Sequence, residues 1–455
     1  MARAVPGVSY RQALRTWLYI GLNSFGGPAG QIAVMHRVLV DEKKWISEDR
    51  FLHALNYCML LPGPEATQLA TYIGWLMHKT KGGLTAGILF VLPGFVFLLA
   101  LSILYTTAEQ LGYVTALFFG LKPAVLAVVV EAVVRIGRRV LKNAAMHGIA
   151  AGAFVAIFVF AVPFPIIIAS AAAIGLIGGR LWPRTFLVVS VHAGKGGVPA
   201  AETVLGDLVP EHARPSARRT VRVLAVWLLL WLIPVAAIVA LAGPGSVFSQ
   251  AAIFFSKAAV VTFGGAYSVL AYIAQAAVQQ YHWLTPTQMM DGLGMAETTP
   301  GPLIQVVQFV GYMGAHGRSG AMSPLAAGIV ASVIVTWVTY VPCFLWIFVG
   351  APYIEKLRGS RALTAALSAI TAAVVGVILN LAVWFALHAM FTDVREQRRG
   401  PIVLHVPRWD SVQPASVGIA VLAAVLMFWL RLGMMKTLAV CVVLGIAWSM
   451  LVGRT

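Results

Sequence analysis

Leu61-Pro62-Gly63-Pro64-Glu65-Ala66-Thr67-Gln68 interrupts one apolar run, and Thr299-Pro300-Gly301-Pro302-Leu303-Ile304-Gln305 interrupts another. Proline lacks an amide hydrogen and its ring clashes with the preceding turn, so a helix cannot run through either triplet. The two triplets are 238 residues apart, and that offset carries more than themselves. Phe25-Gly26-Gly27 falls on Phe263-Gly264-Gly265, and Trp45 falls on Trp283. Ser24 meets Thr262 and Ser47 meets Thr285, hydroxyl for hydroxyl, with no gap needed across the interval. Only 13 of 455 residues are Trp, so coincidence does not account for the joint match.

The surroundings of the breaks are those of a membrane protein. Hydrophobic residues make up 60% of the chain and charged ones 11%, with mean hydropathy +0.85. An ordinary soluble domain is about 25% charged, so a soluble enzyme and a disordered tail protein are both excluded. The apolar segments fall at 16–35, 49–78, 83–107, 113–134, 147–162, 164–180, 221–242, 248–278, 287–315, 323–350, 361–391, 412–430 and 433–452. These are about 13 candidate crossings, and their lengths make helices the spanning element of an all-α polytopic protein. The net charge is +17. The cations sit mostly in short loops between apolar runs, which is the pattern of membrane orientation and not of nucleic-acid binding. With the N-terminus in the cytoplasm, the inner loops hold about twice as many Lys and Arg as the outer ones. The first apolar run follows Arg3, Arg11 and Arg15 and shows no small-residue cleavage site, so it reads as a first span. Cys58, Cys343 and Cys441 lie in apolar segments without a CxxC, which argues against disulfides and a thiolate metal site.

The organisation expected is an N-terminal membrane repeat at 1–180, a polar cytoplasmic linker at 181–220 and a C-terminal repeat at 221–455. The linker contains His192-Ala-Gly-Lys195-Gly-Gly, which lacks the spacing and the hydroxyl residue of a phosphate loop. Seven crossings separate the two copies, or five if the first-copy Gly/Pro segments re-enter. Either number is odd, so the copies enter from opposite sides. Inverted repeats are the architecture of many secondary transporters, whose site lies near the midplane where the repeats meet.

Each break is preceded by a helix start. Ser47 is an N-cap followed by Glu48 and Asp49, and Thr285-Pro286-Thr287-Gln288 has the pattern of a capping box. Fourteen residues after Glu48 the helix meets Pro62, roughly 20 Å into a core of about 30 Å. A new helix is expected from Pro64 or Glu65, and another from Pro302. Its first amides have no intrahelical partner. Two such N-termini from opposite repeats make an anion site through oriented N–H groups and the helix dipole. Candidate substrate-binding residues are therefore Asn23, Ser24, Gly26, Gly27, Gly63, Thr67, Gln68, Thr262, Gly264, Gly265, Thr298, Thr299, Gly301 and Gln305. The plain alternative is that the small residues allow close helix crossing and the polar ones bond neighbouring backbone.

Ionisable groups inside spans are functional candidates by default. Lys122 lies mid-span before Pro123, and Lys257 lies nine residues into its span, shallow enough to snorkel instead. Both join the substrate-binding candidates. Glu131 and Arg135 have i,i+4 spacing and read as a helix-surface ion pair. Glu65 and Glu297 are candidates for proton coupling, although an acid at the position of Glu65 also stabilises a helix dipole.

Phe25-Gly-Gly-Pro28, Leu61-Pro-Gly-Pro-Glu-Ala-Thr-Gln68, Phe263-Gly-Gly and Pro300-Gly-Pro302 together resemble the chromate ion transporter family in its long, two-domain form. The resemblance covers nearly the whole chain. It implies a bacterial inner-membrane protein that exports chromate, confers resistance, and is driven by the proton-motive force without ATP. It also implies sulfate-like oxyanions as competitors. The residues themselves reach only an inverted-repeat transporter of an anion. The partners expected are the oxyanion and the lipid bilayer, with a homodimer left open, no nucleic acid, no cofactor and no metal. Two rivals stand beside this reading. An anion channel would also use broken helices and buried cations. An intramembrane enzyme would need clustered acids, His or Ser at an aqueous rim. The acids Asp41, Glu42, Glu48 and Asp49 are instead balanced by Arg37, Lys43, Lys44 and Arg50.

Overall fold

The computed structural model describes residues 7–108, 112–187, 203–205, 212, 215–263, 265–353 and 360–452. Of the expected linker, most of 188–214, including His192 to Lys195, lies outside the described residues. The first part of the chain forms α1 (Tyr10–Asn23), α2 (Gly27–His36), α3 (Glu48–Cys58), α4 (Glu65–Ala108), α5 (Gly112–Val140), α6 (Ala144–Phe158), α7 (Phe164–Leu181) and the single turn α8 (Pro183–Phe186). Then follow α9 (Ala217–Ala242), α10 (Val247–Val261), α11 (Ala266–Gln275), α12 (Pro286–Thr298), α13 (Val306–His316) and α14 (Pro324–Gly350). The last helices are α15 (Arg361–Met390), α16 (Pro414–Ala424) and α17 (Met434–Val452). Among the described residues, seven helices are long and apolar enough to cross a membrane, and three shorter apolar helices accompany them.

The caps explain where the broken segments begin. Ser47 Oγ accepts the amide of Arg50. Thr285 and Gln288 bond each other's amides reciprocally, at 2.9 and 3.2 Å, which is the capping box written in that sequence. The backbone specials also follow the offset of 238. Lys44 and His282 both stand at φ 51°, Gly63 and Gly301 at 121° and 99°, and Gly27 and Gly265 at 67° and 96°.

The segment 49–78, expected as one interrupted crossing, is instead folded back on itself. The Tyr57 ring on α3 lies 5.9 Å from the Tyr72 ring on α4, which a helix continuing through the break would hold about 20 Å away. Gly63 at φ 121° turns the chain, a conformation open to glycine because it has no Cβ. α4 bends a second time where His78 and Lys79 leave helical geometry. A Cβ on Gly82 would stand 2.2 Å from the carbonyl oxygen of Gly74, so the two limbs of α4 run back along each other in close contact. Beside that bend, His78 Nε2 is hydrogen-bonded to the carbonyl of Val8 at 2.9 Å, which brings the start of α1 there.

The chain clusters into two compact units. The first holds Met1–Leu99, Ser190–Ala266 and Thr299–Ser360. In it, Gly21 of α1 meets the backbone of Leu89, Gly311 of α13 meets Val335 of α14, and Trp227 of α9 stacks on Phe344 of α14. The second holds Ala100–Val189, Tyr267–Thr298 and Arg361–Thr455. There α15 is the central post. Gly175 of α7 sits against Ala365 of α15, and Gly376 of α15 sits against Ala150 of α6. Small residues at each crossing let the backbones approach, as membrane packing requires. Each unit draws segments from both copies of the repeat.

One element departs from the all-helical expectation. Val394–Arg399 and Ile402–Pro407 pair as an antiparallel hairpin (β1 and β2), between the apolar segments 361–391 and 412–430. Gly400 at φ 60° makes its turn, and the amide of Val403 donates to the carbonyl of Val159 at 2.7 Å.

Candidate functional site

In the first unit the Phe-Gly-Gly stretch of each copy meets the Pro-Gly-Pro of the other. The amide of Gly63 donates to the carbonyl of Thr262, and the amide of Gly301 donates to the carbonyl of Ser24. Ser24 and Thr262 close their own helices, each hydroxyl donating at 2.6 Å to the carbonyl four residues back, Ile20 and Ala258. Their side chains are therefore occupied locally, while their carbonyls are spent on the opposite copy. Gly27 and Gly265 are buried, Gly26 is half-buried, and Gly264 lies outside the described residues. Asn23 is exposed and donates to the carbonyl of Tyr19.

Around Gly63 the polar side chains close inward. Gln68 Nε2 donates to the carbonyl of Pro62 at 2.7 Å. Gln68 Oε1 and Thr67 Oγ1 are buried without a hydrogen-bond partner. Unpaired buried polar atoms cost free energy, so two of them beside a helix start mark a place where a donor or a water fits. Glu65, half-buried in the first turn of α4, lies over Gly265, where a Cβ would stand 3.6 Å from both carboxylate oxygens. Around Gly301 the helix does not restart at Pro302. Leu303–Gln305 form a 3-10 turn first, and α13 begins at Val306. Gln31 donates to the carbonyl of Gly301 at 2.8 Å. Gln305 donates to Gln308 at 2.5 Å and to Thr336 at 3.1 Å, and Gln308 donates to the carbonyl of Phe95. Thr299 is buried. Lys257 is exposed on α10.

The second unit holds the remaining candidates. Lys122 Nζ lies 3.6 Å from Asp291 Oδ1; the lysine side chain is 23% exposed and the aspartate 2%. The hydroxyl of Tyr105 donates to the other oxygen of Asp291 at 3.0 Å. Leu121, next to Lys122, packs where a Cβ on Gly294 would stand, 2.6 Å away. That glycine is what lets α12 carry Asp291 close to α5. Glu297, six residues on, is buried; Tyr267 donates to its Oε1 at 2.5 Å while Oε2 has no hydrogen-bond partner. Thr298 is spent on its own helix, donating to the carbonyls of Gly294 and Met295. Arg135 pairs with Glu131 at 3.4 Å, as the i,i+4 spacing requires.

The sequence reading passed over Asp291, Tyr105, Tyr267, Gln31 and Gln308. For Asp291 a signal existed, since an acid inside the apolar segment 287–315 falls under the same rule that singled out Lys122. For the two tyrosines and two glutamines no local signal distinguishes them from other buried polar residues. A separate cavity of about 560 Å³ in the second unit is lined by Tyr272, Gln275, Asn380, Trp384, Arg398 and His405 among others, and none of Lys122, Asp291 and Glu297 borders it. Among the described residues no group of three His, Cys, Asp or Glu side chains could hold a metal ion.

The sequence matches the family described as "Chromate transporter" over residues 11–176 and 249–446. It is similar to a "Chromate transport protein" of Pseudomonas aeruginosa, 33% identical over 82% of this chain and 80% of that one. A "Chromate transport protein" of Cupriavidus metallidurans is 28% identical over 84% of each chain. No solved structure matches.

Proposed function

The chain belongs to the chromate transporter family, and from that premise we propose that it is a secondary carrier exporting chromate, with sulfate-like oxyanions as competitors. The observation that carries the site is the reciprocal bonding of Gly63 to Thr262 and of Gly301 to Ser24. Each bond ties the helix break of one copy to a helix end of the other, within the first unit. Oxyanion oxygens are taken up by the amide ends beside Gly63, Gly265 and Gly301, with Thr67, Gln68, Thr299 and Gln305 offering neutral hydrogen bonds. Separately, within the second unit, Lys122 offers an anion a fixed cation. Glu65 and Glu297 are the carboxylates for proton coupling, and the driving force is the proton-motive force.

The protein is a multi-pass membrane protein, here placed in the bacterial inner membrane with its N-terminus in the cytoplasm. The repeats 1–180 and 221–455 are inverted. With the segments around Phe-Gly-Gly and Pro-Gly-Pro re-entrant, five crossings separate the copies: the second limb of α4, then α5, α6, α7 and α9. Five is odd, so the second copy starts from the opposite face. The test is uptake of radiolabelled chromate into inverted membrane vesicles, with sulfate as competitor and an uncoupler as control. Saturable uptake that sulfate inhibits and the uncoupler abolishes is expected. Uptake that does not saturate and shows no counterflow would instead indicate a channel.

A further inference from the structure

Lys122 is not waiting as a bare cation: its ammonium already faces the Asp291 carboxylate at 3.6 Å. A carboxylate presents the same chemistry as the substrate, negatively charged oxygens able to accept from an ammonium group. Asp291 is also held in place from behind, by the hydroxyl of Tyr105 on its other oxygen. The lysine is the more exposed member of the pair, 23% against 2%. Removing one partner of a buried pair leaves an uncompensated charge, which is strongly destabilising. A carrier that returns empty through the membrane must avoid that cost at the residue that bound its anion.

We propose that Asp291 is a tethered competitor for the oxyanion: it neutralises Lys122 in the empty carrier and is displaced from it when the anion binds. Tyr105 is the positioning residue that keeps the displaced carboxylate hydrogen-bonded. This rests on Lys122 being a substrate ligand, as proposed above. Two consequences follow from competition. Without the carboxylate, the anion binds more tightly, because it no longer has to displace anything. Without it, the empty carrier also carries an unpaired buried ammonium, so the return step slows. Net flux requires that step, whereas exchange of chromate for chromate does not.

The experiment is chromate transport by the full-length protein in proteoliposomes, measured both as net efflux and as chromate–chromate exchange. For Asp291→Asn, the half-saturating chromate concentration should fall about tenfold or more and net efflux should fall, while exchange persists. An unchanged or raised half-saturation, or equal loss of exchange and net efflux, overturns the proposal. If Asp291→Asn is poorly inserted, Lys122→Gln/Asp291→Asn removes both charges and should recover membrane yield. That pair should still transport weakly, because the cation is gone; wild-type transport by it means the two residues serve only each other and overturns the proposal. Lys122→Gln alone separates the two readings. If it transports normally, Lys122 is no ligand and the underlying site assignment fails. If it is impaired while Asp291→Asn behaves as wild type, only the competitor role fails.

Discussion

The amide of Gly63 donates to the carbonyl of Thr262 at 2.8 Å, and its repeat mate Gly301 donates to Ser24 at 2.9 Å. Each bond ties the turn of one helix break to the end of a helix in the other copy. A break that reverses the chain leaves backbone groups without helical partners, and inside a membrane no water is at hand to satisfy them. The two copies satisfy each other instead, which is why the motifs come in pairs.

The close approach at Gly301 is testable by adding one methyl group. Gly301 stands at φ 99°, and a Cβ there would lie 2.9 Å from the Cα of Gly94. Gly301→Ala should destabilise the detergent-solubilised protein by about 2–4 kcal/mol, from the left-handed backbone and the overpacking together. Gly320→Ala is the control, since that glycine has φ 59° but open space around it. Thermal unfolding should show the larger loss at Gly301; equal losses would mean the contact with Gly94 is unimportant.

Replacing Pro62 and Pro64 with Ala removes what stops the helix, and helix propensity rises by about 3 kcal/mol per proline in a helix interior. The chain would then extend past Gly63 and lose the turn that Gln68 closes onto the Pro62 carbonyl. Membrane yield should survive better than chromate transport. Normal transport by a well-expressed Pro62→Ala/Pro64→Ala protein would show that the turn does not build the site.

The proposed inverted topology predicts sidedness. A tag within 181–220 should be cytoplasmic, and single cysteines replacing Gly245 or Gly400 should react with an impermeant thiol reagent from outside. Labelling of Gly245→Cys from the same side as the 181–220 tag would make the number of intervening crossings even and remove the inversion.

How much of this was legible follows from what each residue type constrains locally. The helix starts at Ser47 and Thr285 were readable because a cap needs only neighbours within three residues. The breaks were readable because proline forbids continuation. Their fold-back was not, because Pro-Gly-Pro stops a helix without fixing the direction in which the chain leaves; the Tyr57–Tyr72 contact does that. The hairpin was missed because Val394-Arg-Glu-Gln-Arg-Arg399 shows no apolar alternation, its strand being exposed along nearly all its length. Asp291 was legible as an acid inside an apolar segment, but its partner was not, because Lys122 is far away in sequence and is brought near by the contact of Leu121 with Gly294.

The hairpin carries its own pH dependence. Burial pushes the His405 imidazole below its ordinary value, and Glu396 on the partner strand pulls it the other way without cancelling the effect. A histidine whose folded pKa lies below its unfolded one favours the folded state at neutral pH. That contribution is lost as the pH falls below about 6.5, where the unfolded imidazole takes up a proton first. Amide exchange across 394–407 should therefore accelerate between pH 7.5 and 5.5, after correction for intrinsic rates. His405→Gln should flatten the change, and an unaltered acceleration in that variant would place the sensitivity elsewhere.

The charge at Lys122 carries the sharpest expectation. A dianion entering a low-dielectric site loses hydration, and backbone dipoles offset that loss only in part. Lys122→Gln keeps a polar side chain, one atom shorter, but removes the charge, so oxyanion transport should fall at least tenfold, about 1.4 kcal/mol or more. Lys122→Arg should retain more activity than Gln, yet not all of it, because a planar fork replaces a compact point charge opposite Asp291. Lys257→Gln should be mild, since Lys257 is exposed on α10 and a stem of its length can snorkel. Chromate flux at matched expression gives the order. If Lys257→Gln is inactive while Lys122→Gln transports as the wild type does, the cation that holds the anion stands beside Thr262 and Gly265, and the assignment to Lys122 fails.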